Sequence, residues 1–239
     1  MRHEVRAAIL SRWNITAPGI FSGTLAMLTM VHGYRTFLPD SGYEATFATG
    51  YVAYAMVMAG IAASISATVD LGLDRVRYLI SLPVTPGMIA MSKLCGAAVT
   101  AVIVSTVMLL IGNPLVLHLS LADALIAFSA LVCQALSVVG LVCCLSRLVK
   151  DITKLGLIGS LASGVLQYLS SVYFPSSVFP PWMRPIIYLN PLTHAVNVVR
   201  SLVTGSPMGT EMLSLAIASV VFVGLGSYSL SEAVKRKLI

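Results

Sequence analysis

Charge is the scarcest ingredient of this sequence. Only 10% of its 239 residues are Asp, Glu, Lys or Arg, whereas 57% are hydrophobic, and the mean hydropathy is +0.91. A water-soluble domain carries about a quarter charged residues. With so few, this chain has no means of covering a wet surface without large apolar patches, and a lipid-facing exterior removes that difficulty. Cysteine is nearly as sparse. Cys95, Cys133, Cys143 and Cys144 lie in or beside apolar runs, with no pair flanking a loop as a metal knuckle or disulfide framework would. They read as small apolar residues and say little about redox compartment.

Motifs that carry chemistry are missing too. There is no G-x-x-x-x-G-K-S/T phosphate loop, no H-E-x-x-H and no G-x-S-x-G elbow. ATP hydrolysis by this chain itself is therefore not expected, nor a metal centre. His3, His32, His118 and His194 are scattered, with no second ligand at metal spacing. No acidic or basic residue stands at the middle of any long apolar run. That weighs against a proton relay or a sodium-coupled carrier, which places such a group near the bilayer midplane.

Long apolar runs are what the sequence does have. Six are long enough to cross a hydrocarbon core of about 30 Å at 1.5 Å per residue. They are Asn14 to His32, a stretch within Ala45 to Val69, one between Leu94 and Gly112, one between Ala124 and Ser146, one from Leu155 that fades near Pro175, and Met212 to Ser231. The runs are continuous rather than alternating, which excludes a β-barrel. The expectation is a single all-α membrane domain over residues 1–239 with six transmembrane helices. The first run is longer than a signal-peptide core and lacks a small-residue cleavage site, so it is read as mature structure.

Net charge is +6, but the basic residues sit in short clusters, without the aromatic interleaving of a nucleic-acid binder. No nucleic-acid partner is expected. With six spans, Arg2, Arg6, Arg12, Arg75, Arg77, Lys93, Arg147, Lys150, Lys154, Lys235, Arg236 and Lys237 fall on one side, and only Arg35, Arg184 and Arg200 on the other. Positive charge concentrates on the cytoplasmic face. This predicts a multi-pass cell-membrane protein with both termini cytoplasmic.

Three stretches outside the runs stand out. Over residues 1–13, Val5, Ala8, Ile9 and Trp13 recur at helical spacing among arginines, which suits an interfacial amphipathic helix or an ordinary tail. Residues 70–93 form a charged, part-apolar loop bounded by Pro83 and Pro86. Within it Asp74, Arg75, Val76, Arg77, Leu79 and Ile80 fit a short helix able to dock a partner. Residues 172–205 begin with a proline-broken segment, VYFPSSVFPPWMRPIIYLNPLT. It is too interrupted to span and too apolar to be freely solvated, so a re-entrant excursion or short packed helices are expected. Inside the runs, Gln134 and Gln167 are the most polar side chains, marking either a substrate path or helix–helix hydrogen bonds. Gly156, Ser160 and Gly164 repeat every four residues, a spacing for close helix packing within one subunit or between two.

These residues resemble the transmembrane subunit of the ABC-2 type of ABC transporter. The likeness rests on the early amphipathic helix, on the loop GLDRVRYLISLPVTPGMIAMSK from Gly72 to Lys93, and on FPPWMRPIIYLNPLTHAVNVVRSLVTG from Phe179 to Gly205. In the last, Pro181, Trp182, Asn190, Pro191 and Arg200 match the family's motif. The resemblance implies a permease that works as a pair, with a second copy or a related permease, and with a separate ATP-binding subunit carrying ATP and magnesium. It implies that residues 74–80 couple to the ATPase, that short re-entrant helices precede the last span, and that an amphipathic or lipid-like substrate is exported. No cofactor is expected on this chain. The alternative is a non-transport membrane enzyme or assembly subunit.

Overall fold

A computed structural model describes residues 20–21, 23–37, 43–72, 85–146 and 154–235. Helix is the only regular structure among them. The elements are α1 (helical at 20–21 and 23–37), α2 (Tyr43–Gly72), α3 (Pro86–Gly112), a π-helical turn (Asn113–Leu117), α4 (Leu121–Ser146), α5 (Leu155–Tyr168), a 3-10 turn (Ser176–Val178), α6 (Arg184–Tyr188), α7 (Pro191–Thr204) and α8 (Glu211–Lys235).

Local signals account for the helix ends. Thr85 caps α3 by accepting from the Met88 N–H at 3.4 Å, and Pro86 follows at the first helical position. At the far end Pro114 has no N–H to continue the ladder, and the chain loosens into the π-turn. His118 there takes a left-handed conformation, φ 49°. Asn113 closes the bend, its Oδ1 accepting from the Leu119 N–H at 2.7 Å. Ser120 then starts α4, accepting from the Asp123 N–H and donating to the Asp123 carboxylate at 2.6 Å.

Contacts along the helices set their directions. Gln134 reaches the Ala53 carbonyl, and Gly60 faces Val138 and Val139, so α4 runs parallel to α2. Gly60 also faces Ala101 while Gly112 faces Val52, so α3 is antiparallel to both. Gly23 against Met108 and Met27 against Gly112 make α1 parallel to α3. Helix α8 runs beside α4 in the same direction. Ala130 packs with Leu215 near their starts and Cys143 with Leu230 near their ends. The bundle thus has a Tyr43 end and a Lys235 end. Its main core gathers Met27, Val52, Met56, Met108, Leu131, Leu192 and Val196, all fully buried. On α8, by contrast, Leu213, Ile217, Val220 and Leu225 are exposed, the surface a lipid-facing helix presents.

The expectation of six spans is corrected. Among the described residues four helices are long and apolar enough to cross a membrane: Tyr43–Val69, Pro86–Leu117, Leu121–Leu145 and Glu211–Lys235. The run beginning at Leu155 yields only the 14 residues of α5, about 21 Å of helix. Its apolar sequence continues, but the hydroxyls of Ser170 and Ser171 offer the backbone other partners. Ser170 Oγ donates to the Gln167 carbonyl at 2.7 Å and accepts from the Val172 N–H, competing with the helical ladder. The first run is continuous described helix only over 23–37, about 22 Å. The expected interfacial helix at 1–13 and the segment 73–84 lie outside the described residues.

Candidate functional site: a broken helix stapled at the Tyr43 end

Where α5 stops, its last carbonyls lose their helical partners. The bond from the Leu169 N–H to the Val165 carbonyl is the final one. One side chain then takes over. Asn190 Nδ2 donates to the carbonyls of Leu166 and Leu169, each at 2.8 Å, while its Oδ1 accepts from the Leu192 N–H at 3.0 Å. Asn190 therefore closes the end of α5 and caps the start of α7 together. Pro191 occupies the first position of α7, where its missing N–H costs nothing.

Between the two helices the chain is unwound yet buried. Ser170, Ser171 and Val172 are inaccessible, and their backbone presses directly on α2. A Cβ built on Gly50 would lie 2.1 Å from the Val172 carbonyl oxygen, so only glycine at position 50 permits this approach. Arg200, ten positions after Asn190, fastens the same strand. Its Nη2 donates to the Ser171 carbonyl at 2.9 Å and to the Thr46 carbonyl of α2 at 3.3 Å. The Tyr43 hydroxyl donates to the Tyr173 carbonyl at 2.5 Å. Gln167 donates its amide to the Tyr173 hydroxyl. Burial pushes that hydroxyl above its ordinary value, opposed by the Gln167 hydrogen bond, so it stays protonated at neutral pH.

A second row of polar groups joins α7 to α8. Ser171 Oγ donates to Asn197 Oδ1 at 3.0 Å, and Asn197 Nδ2 donates to Glu211 Oε1 at 3.1 Å. His194 meets the other Glu211 oxygen through Nδ1 and the Tyr188 carbonyl through Nε2, at 2.8 Å. A carbonyl only accepts, so Nε2 carries a hydrogen. Inward, α7 buries Leu192, Ala195, Val196, Val198 and Val199 among α2, α4 and α8.

Of the sequence-predicted residues, Asn190, Pro191 and Arg200 come together in this node. Pro181 and Trp182 do not; both are exposed on the segment leading to α6, Trp182 by 70%. Gln167 touches the node through Tyr173. Gln134 lies apart, completely buried between α2 and α4, with Nε2 on the Ala53 carbonyl at 3.1 Å and Oε1 without a partner. Residues Asp74, Arg75, Val76, Arg77, Leu79 and Ile80 lie outside the described residues. Sequence reading missed Ser171, His194, Asn197 and Glu211. The signal was available for two of them, since 194 and 197 share a helical face. Among the described residues no three His, Cys, Asp or Glu side chains gather as a metal site would require.

The helices and the node define a class: a multi-pass α-helical membrane protein with an interrupted, side-chain-stapled helix before its last span. The chain belongs to the ABC-2 type transporter family, whose sequence profile matches residues 4–204. Its members are membrane-embedded transport subunits and not catalysts. No curated protein matches the chain.

Proposed function

We propose that this chain is the permease subunit of an ATP-driven exporter. It would pair with a second permease and draw its energy from a separate ATPase that holds ATP and magnesium. The observation that carries the reading is the interrupted helix. Its unwound strand is fixed to α2 and α7 by hydrogen bonds from Asn190 and Arg200, and among the described residues of α2, α3 and α4 no ionised side chain is buried. The described residues of these helices thus supply no buried ionised group of the kind a coupled carrier uses. Energy then enters from outside the bundle.

The Lys235 end is the cytoplasmic one on this reading. Lys93, Lys154 and Lys235 lie there, with Arg75, Arg77, Arg147 and Lys150 in the adjoining sequence. The parallel run of α1 and α3 supports an N-terminus on the same side as the C-terminus. Residues 74–80 supply the coupling contact, with Val76, Leu79 and Ile80 as one apolar face. The second permease covers α5. A Cβ on Gly156 or Gly164 would meet nothing within 4 Å, Ser160 is exposed, and Leu157, Leu161 and Val165 are more than half exposed. Small residues at this spacing admit a second helix at short distance. The cargo is amphipathic or lipid-like, matched to an apolar bundle.

Co-expression with candidate ATPase subunits tests the reading. The wild-type chain should retain an ATPase on purification. The double variant Leu79→Ala, Ile80→Ala should lose more binding than Arg77→Ala, because central apolar anchors contribute about 2 kcal/mol or more. Recovery of the ATPase unchanged in the double variant would remove the coupling assignment.

A further inference from the structure

The Tyr43 end contains an open cavity of about 390 Å³. It lies between the start of the 3-10 turn, one face of α7, and the turn that joins α7 to α8. Arg200, Asn197, Ser201, Thr204, Thr210 and Glu211 are among its lining residues. We propose that this cavity is a binding site for a phosphate-type oxyanion, presented by a lipid headgroup or free in solution.

Charge is the first argument. Arg200 forms no ion pair with any described carboxylate. Its Nη2 is committed to two backbone carbonyls, its Nε has no partner, and among the described residues Nη1 has none either. A guanidinium offers five hydrogens in a planar fork that matches phosphate. Here Nη2 is spent on carbonyls and Nε is buried, so the charge is uncompensated and Nη1 is the group left to meet an anion. Glu211 is the one carboxylate lining the cavity, and it is already engaged by His194 and Asn197.

Geometry is the second. Thr210 accepts the first bond of α8 from the Ser214 N–H, so the positive end of a 25-residue helix opens at the rim. The turn that frames it is held by Gly205 and Gly209, both left-handed at φ 66° and 55°, a conformation that favours glycine. Among the described residues the hydroxyls of Ser201 and Thr210 have no partner. The cavity thus offers one unpaired cation, a helix start and unspent hydroxyls, in a pocket large enough for a headgroup.

This site does not depend on the exporter reading, and its test measures binding alone. The full chain is reconstituted in neutral phosphatidylcholine nanodiscs and titrated calorimetrically with inorganic phosphate. In a second arm, native mass spectrometry counts phosphatidylglycerol retained from mixed nanodiscs. Arg200→Gln should abolish binding, but Arg200 also fastens the unwound strand. Thr210→Glu is therefore the decisive variant: it is exposed, suits a helix start, and sets a negative charge on the rim. It should weaken binding about tenfold or more, since like charges at short range repel strongly outside bulk water. Thr210→Gln, which loses the hydroxyl but adds no charge, should weaken binding clearly less than Thr210→Glu. Saturation by phosphate in neutral discs assigns free oxyanion; retention of phosphatidylglycerol without phosphate binding assigns the headgroup. Neither ligand binding, or Thr210→Glu binding like wild type, overturns the site.

Discussion

Two seams of this molecule hold helices together by different means. Between α4 and α8, backbone meets backbone. A Cβ on Gly140 would sit 2.2 Å from the Phe222 carbonyl oxygen, and one on Gly226 would sit 2.7 Å from the Gly140 carbonyl oxygen. Between α5, α7 and α2 one such approach, Gly50 against Val172, is joined by side chains, with Asn190 reaching carbonyls that the interrupted helix leaves open and Arg200 reaching those of Ser171 and Thr46. The glycine seam depends on shape and has a single arrangement. The hydrogen-bonded seam depends on donors that can change acceptors. In a transporter the first suits a fixed wall and the second suits a part that moves.

The largest effect should come from breaking the glycine seam. Gly140→Val would drive a branched side chain into the Phe222 backbone, which has no rotamer to yield. Overpacking of this kind costs about 3 kcal/mol at its upper end, so folded protein in detergent should fall sharply and melt several degrees lower. Gly224, on α8 two residues from Phe222, has nothing within 4 Å of an added Cβ. Gly224→Val should therefore melt within a degree or two of wild type, as surface substitutions away from special features are nearly neutral. Equal losses at both positions would mean that valine is harmful at either helix glycine whatever it faces, and that the close approach is not the cause.

The hydrogen-bonded seam should respond less, and locally. Asn190→Ala strips a helix cap and leaves the Leu166 and Leu169 carbonyls without their donor, at a cost of about 2 kcal/mol. Hydrogen exchange should quicken over 166–175 and the first turn of α7 while α4 and α8 stay protected. Asn190→Asp separates the two duties of the residue. It keeps an acceptor for the Leu192 N–H but offers no donor to the α5 carbonyls. Exchange should then rise at the α5 end alone. Uniform deprotection of the whole bundle would show that the node is not a separable unit.

What the sequence disclosed about these seams follows their physics. The apolar runs announced α2, α3, α4 and α8 because desolvation acts on composition, which is visible one residue at a time. The proline-rich segment announced an interruption before the last span, since Pro forbids helical continuation at a known place. The early stop of α5 was not legible. Its sequence stays apolar past Tyr168, and the serines at 170 and 171 end the helix only because buried partners accept them. Arg200 was singled out by motif, but its role depends on carbonyls of Thr46 and Ser171, and a backbone carbonyl leaves no mark in sequence. The spacing of Gly156, Ser160 and Gly164 suits close packing within one subunit or between two. The structure leaves that stripe open, and spacing alone never specifies which helix will use it.

The smallest effect expected is at Gln134, and it sharpens the comparison by asking whether a third mode of helix contact matters. Gln134 is wholly buried, gives one hydrogen bond from Nε2 to the Ala53 carbonyl, and leaves Oε1 without a partner. Hydrogen bonds between helices in lipid contribute about 0.6 kcal/mol on average. An unmet buried acceptor costs about 1 kcal/mol or more. The two nearly cancel. Gln134→Leu removes both the bond and the orphaned oxygen, and leaves Ala53 with its ordinary place in the α2 ladder. Its stability should therefore lie within about 1 kcal/mol of wild type, and transport by the assembled complex should be unchanged if the residue only joins α2 to α4. A normal melting temperature with transport lost would instead make Gln134 part of the substrate path.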